Sequence, residues 1–103
     1  MKKIYLDIAA TTPVDPKVAT LMSQVMTQTF GNPSSIHKFG QESHSVIERA
    51  RLQLATALSC EAGEIIFTGG GSESNNLVLQ GVLNSGDHII TSAYEHPAIL
   101  NVI

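Results

Sequence analysis

The stretch Glu64-Ile65-Ile66-Phe67-Thr68-Gly69-Gly70-Gly71-Ser72-Glu73-Ser74, with His88-Ile89-Ile90-Thr91-Ser92 further on, decides how this chain reads. Residues 64–68 are β-branched and aromatic, as a buried strand requires. Three glycines interrupt them, and Ser72 is placed to cap a helix running through Leu83. Asn84-Ser85-Gly86-Asp87 closes that helix, and residues 88–92 read as a second buried strand. Strand, helix and strand at this spacing predict a βαβ unit, hence a parallel sheet with flanking helices in an α/β fold.

Upstream, Asp15 followed by Pro16 marks a helix start, with Asp as N-cap and Pro at the first helical position. Val18, Leu21, Met22, Val25 and Met26 then recur on one helical face, and the stripe ends near Phe30-Gly31. A polar loop, Gly31-Asn32-Pro33-Ser34-Ser35, has neither helical nor strand periodicity. A second helix is expected from Gln41 to about Ser59, with Val46, Ile47, Ala50, Leu54 and Leu58 on one face, followed by a turn at Glu61-Ala62-Gly63. Downstream, Pro97 opens an apolar stretch through Ile103 that ends with no cap or polar tail. Two parallel strands also lack the neighbours such strands need. The chain therefore reads as the front part of a longer protein.

Composition narrows the class. The 103 residues are 43% hydrophobic and 15% charged, which excludes a disordered tail and allows one small domain at most. Six Lys+Arg against nine Asp+Glu give a net charge of −3, so no basic face is available for nucleic acid. Apolar runs are too short to span a bilayer, and Asp7 interrupts the N-terminus before a signal-peptide core can form. A single cysteine, Cys60, forms no internal disulfide and fits a reducing, cytoplasmic setting.

The glycine run is the strongest chemical signal. Between a strand and a helix, free backbone N–H groups and the helix dipole attract an anion, and the hydroxyls of Ser72 and Ser74 add donors. No Lys-Ser or Lys-Thr follows the glycines, and Ser74 stands at the sixth position of a G-x-G-x-x-G, so neither common nucleotide motif is present. A plain strand–helix turn with Ser72 as N-cap accounts for the same residues. His96, in Glu95-His96-Pro97, falls at the carboxyl edge of the expected sheet, where open α/β folds place ligands. An imidazole there can stack on a flat cofactor or move a proton, although a helix-start histidine without a ligand is the simpler account. His37 reads as a loop residue, His44 as polar-face and His88 as strand-entrance. No zinc-ligand spacing joins them to Cys60, whose neighbours Glu61 and Glu64 disfavour a thiolate. The lysines Lys2, Lys3, Lys17 and Lys38 all precede the glycine run.

Taken in order, residues 5–16 (Tyr5 to Pro16), 30–37 (Phe30 to His37), 67–77 (Phe67 to Leu77), 88–92 and 95–100 closely resemble the start of the cysteine desulfurases of the NifS/IscS type. These are pyridoxal 5'-phosphate (PLP) enzymes of the class-V aminotransferase group. The resemblance covers nearly all of this chain but only about the first quarter of a family member. It implies fold type I, the aspartate aminotransferase-like PLP-dependent transferase fold. Residues 1–15 would belong to its small domain and residues 16–103 to the start of its PLP-binding large domain.

By the same resemblance, Gly71 and Ser72 hold the cofactor phosphate, through a backbone N–H and a hydroxyl. His96 stacks on the pyridine ring and assists proton transfer. The Ala9-Ala10-Thr11 and Gly31-Asn32-Pro33 segments lie near the active-site mouth. The implied reaction takes sulfur from L-cysteine and leaves L-alanine and an enzyme persulfide. The sulfur then passes to an iron–sulfur scaffold or a tRNA-thiolation protein, and the full-length enzyme is a homodimer. Ile8 departs from a usual polar or aromatic residue, Gly69 from a usual Ser, and Ser72 from a usual Thr. The family's Schiff-base lysine, pyridine-facing aspartate and persulfide cysteine have no counterpart in this chain, which by itself is expected to be inactive. The alternatives are a non-catalytic phosphate-binding module and an inactive truncated relic.

Overall fold

The computed structural model describes residues 3–103; Met1 and Lys2, on which the reading of the N-terminus partly rests, lie outside them. The chain forms two compact units, Met1–Ala62 and Gly63–Ile103.

The first unit carries α1 (Pro16–Gln28) and α2 (Lys38–Leu58). Helix α1 begins where Asp15-Pro16 predicts: the Asp15 carboxylate accepts the Lys17 N–H at 2.7 Å, and Pro16 needs no partner. Ahead of it, the Tyr5 hydroxyl lies 2.8 Å from the Asp7 carbonyl and 3.0 Å from that of Thr11, which closes the turn between them. Helix α2 starts three residues earlier than the periodicity suggests. The reason is His37, which is not a free loop residue: its Nδ1 accepts the Gly40 N–H at 3.3 Å and so caps the helix. Imidazole is an uncommon cap, so the apolar stripe alone places the start too late.

The connection from α1 to α2 is held by backbone proximity. A Cβ on Gly31 would overlap the Phe39 carbonyl, and one on Gly40 would overlap the carbonyl of Ser35 and sit 2.6 Å from that of Asn32. Only glycine allows this approach at either position. The Asn32 side chain turns the loop by accepting the Ser34 N–H at 2.9 Å. Phe30 stacks on Phe39 with centroids 5.7 Å apart, and the buried Ser43 hydroxyl donates to the Thr29 carbonyl at 3.2 Å. At its other end α2 closes with Ser59 in the left-handed conformation (φ 56°). The Ser59 and Cys60 N–H groups bond back to Thr56 and Ala55, a Schellman arrangement that usually has glycine at this position. The turn read at residues 61–63 is a short 3₁₀ helix, Ala62–Glu64.

The second unit carries α3 (Gly71–Val82) and α4 (Pro97–Leu100), which pack against each other. Asn84 to Asp87 forms the expected turn, with the Asn84 N–H on the Asp87 carboxylate at 2.7 Å and the Asp87 N–H on the Asn84 carbonyl at 3.0 Å. The expected parallel sheet is not seen: among the described residues there is no strand, Glu64 ends the 3₁₀ helix, and residues 65–68 and 88–92 are irregular. The physical reason is exposure. Parallel strands persist when both faces are covered, whereas Ile66 and Phe67 are exposed and Ile90 is fully so, at 100%. Ala55, 4% exposed, is the one buried apolar side chain among the described residues, and the apolar face of α1 is open to solvent.

Two substitutions test the packing of the first unit by chemical unfolding. Gly40→Ala should destabilise it by about 1–3 kcal/mol, because the new methyl has only backbone to move against. Ser59→Gly should stabilise it by about 1 kcal/mol, by relieving a left-handed non-glycine residue.

Candidate functional site

The glycine run leads directly into α3. Gly70 is the N-cap, in extended conformation (φ 161°, ψ 176°), and makes no side-chain capping bond. Gly71 and Ser72 are therefore the first two helical residues, and Ser72 is not the cap that the sequence suggests. Ser72, two places inside the cap, makes no capping bond, and a glycine N-cap is tolerated nearly as well. The first backbone bond of the helix runs from the Ser74 N–H to the Gly70 carbonyl at 3.1 Å. The N–H groups of Gly71, Ser72 and Glu73 thus lie before any intrahelical acceptor. Gly71 and Ser72 are both exposed.

Around them the turn is tied by its own side chains. The Gly69 N–H donates to Glu73 Oε2 at 2.7 Å. Thr68 Oγ1 and Ser74 Oγ are 2.7 Å apart, and each lies 3.3 Å from the Gly70 carbonyl oxygen. Ser74 is consequently engaged within the loop and is not the additional free donor expected of it. Asn76 Nδ2 donates to the Ser72 carbonyl at 2.8 Å, and the bonds that tie the turn do not involve the Ser72 hydroxyl. Glu73 and Thr68 are the residues that sequence reasoning overlooks. Glu73 stands at the third helical position, but it accepts from the Gly69 N–H, one residue before the cap, and so forms no capping box.

His96 caps α4. Its Nδ1 accepts the Ala98 N–H at 3.0 Å, so in the neutral ring the proton sits on Nε2, and the ring is exposed. Just before it, the Ser92 hydroxyl donates to Glu95 Oε1 at 2.9 Å and closes the preceding turn. The packing of α3 on α4 brings the helix opened by Gly71 and Ser72 against the helix opened by His96. His37 and His44 belong to the first unit and His88 is exposed; no cluster of metal-ligating side chains occurs among the described residues. Cys60 is a free, partly exposed thiol. No helix among the described residues is long and apolar enough to cross a membrane.

The model of the family described as aminotransferase class-V matches residues 4–103, and the chain belongs to that family, whose fold is the fold type I of PLP enzymes. The chain is 48% identical over 103 residues to the cysteine desulfurase IscS of Dictyoglomus turgidum, covering 96% of this chain and 26% of that protein. It is 49% identical over 105 residues to the protein of the same name from Escherichia coli, covering 95% of this chain and 26% of the relative. The Neisseria meningitidis protein is 45% identical over 105 residues. The chain thus spans about a quarter of the length of these curated relatives.

The start of α3 at Gly71 has a measurable consequence. Ser72→Ala should leave thermal stability within about 0.5 kcal/mol of the unmodified protein, whereas Asp15→Ala should cost about 1 kcal/mol through loss of a cap.

Proposed function

We propose that this chain is the opening quarter of a PLP-dependent cysteine desulfurase, and that the turn at Gly71 and Ser72 anchors the cofactor phosphate. The observation carrying this reading is the near-half identity to proteins of that name along almost the whole chain. A feature of the turn supports the phosphate assignment. The Glu73 carboxylate is spent on the Gly69 N–H, ahead of the helix, and leaves the first helical donors open. The N–H groups of Gly71 and Ser72 and the Ser72 hydroxyl remain as donors of the kind a phosphate dianion takes.

In this reading residues 1–15 belong to the small domain and residues 16–103 begin the large one. Residues 64–68 and 88–92 become parallel strands once further strands and helices of the whole protein cover them. The cofactor, when bound, withdraws electrons from the carbon attached to the substrate nitrogen. The chain's own residues bind and orient. Gly71 and Ser72 fix the phosphate end. The His96 ring, fixed by the Ala98 N–H on Nδ1, would face the flat end of the cofactor and present Nε2 for proton exchange.

L-cysteine is the substrate, and L-alanine and a persulfide are the products. The lysine that binds the cofactor and the cysteine that carries the sulfur lie in the remaining three quarters; Cys60 is neither. The acceptor is an iron–sulfur scaffold or a tRNA-thiolation protein, the assembled enzyme is a homodimer, and its setting is cytoplasmic.

The test is to purify the intact protein that carries this chain, supply PLP, L-cysteine and a thiol reductant, and measure alanine and sulfide. Equal release of both supports the reading. Bound PLP with no alanine released would leave a non-catalytic binding module instead. Ser72→Ala should weaken cofactor binding about tenfold, the loss of one hydrogen bond to a charged group.

A further inference from the structure

The geometry points to Glu73 as a positioning residue for the phosphate anchor: its carboxylate holds the Gly69 N–H and thereby leaves the N–H groups of Gly71 and Ser72 set for the ligand. The inference rests on the reading of this turn as a phosphate anchor. Its starting point is the freedom of the turn. Three consecutive glycines sample more backbone conformations than any other tripeptide, and ordering them on binding costs affinity. Packing does not restrain them, since a Cβ built on Gly70 or Gly71 would meet nothing within 4 Å. The restraint is polar. Glu73 Oε2 lies 2.7 Å from the Gly69 nitrogen, and the Thr68–Ser74 hydroxyl pair closes the turn on the Gly70 carbonyl.

A carboxylate at a helix start could also act as a rival to the phosphate. The division of donors argues otherwise. Glu73 takes the N–H that precedes the N-cap, and none of the side chains of the turn takes those of Gly71 or Ser72. The side chains of Thr68, Glu73 and Ser74 are spent on one another and on the Gly69 N–H and Gly70 carbonyl, while the groups a phosphate would use take no part. The charge of Glu73 itself opposes a dianion, so the clamp and not the charge is the useful property. Glutamine keeps the acceptor and removes the charge; alanine removes both.

The test uses the intact protein, freed of cofactor and titrated with PLP and with pyridoxal, which lacks the phosphate. Glu73→Ala should weaken PLP binding about three- to tenfold, the cost of ordering about one freed glycine on binding. It should leave pyridoxal binding unchanged and speed amide hydrogen exchange at Gly69. Glu73→Gln should bind PLP at least as tightly as the unmodified protein, with slow exchange retained. If the alanine variant does not fold, Glu73→Asp, too short to reach Gly69, takes its place. Tighter PLP binding by both the alanine and glutamine variants would make Glu73 a rival anion and overturn the inference. Unchanged PLP binding in the alanine variant would overturn it too, while a preference for PLP over pyridoxal in the unmodified protein leaves the anchor standing. Equal binding of PLP and pyridoxal by the unmodified protein would remove the anchor and the inference together.

Discussion

The first backbone N–H groups of a helix have no acceptor within it, and the described helices α1 to α4 answer that constraint in three ways. An aspartate carboxylate serves α1, and imidazole nitrogens serve α2 and α4. Helix α3 alone begins on a glycine without a side-chain cap, and its glutamate reaches past the cap to the residue before it. The helix starts thus differ in how much donor capacity is left over. The surplus is found where three glycines and an exposed serine keep the backbone accessible. The candidate site follows from that surplus, since an anion is the chemical complement of unsatisfied N–H groups at the positive end of a helix dipole.

Much of this was legible from residue types alone. Asp15-Pro16 marks a helix start through two independent properties, a short acceptor and a missing donor, and the helix begins there. The turn at Asn84 to Asp87 and the helix opening at Pro97 were equally readable. The glycine run was correctly seen as the entrance to a helix. Residue type favours Ser72 as the cap, yet the glycine two places earlier takes that position. The early start of α2 was missed for a related reason: His37 acts through a ring nitrogen, which no simple capping preference ranks highly.

The sheet illustrates a different limit. Residues 64–68 and 88–92 carry the composition of buried strands, yet composition describes what a segment needs and not what surrounds it. A helix satisfies its backbone within itself, so helices α1 to α3 form with little packing to support them. A strand depends on a neighbour for every bond it makes. With Ile66, Phe67 and Ile90 exposed, the condition that turns such a segment into a strand is missing here. The same reasoning explains why α1 can present Val18, Leu21, Met22 and Met26 to solvent and remain helical.

The approach of Gly31 and Gly40 to the opposite backbone has a consequence for how this chain can change length. Surface connections are ordinarily where proteins accept added or deleted residues. Between residues 31 and 40 each glycine is seated against the other's neighbours, so one residue gained or lost would bring a side-chain-bearing position to a contact with no room for it. The connection at residues 84–87 carries no such reciprocal seating, and Gly86 has open space around it. Variation in loop length among related chains should accordingly be tolerated at the second connection and excluded from the first.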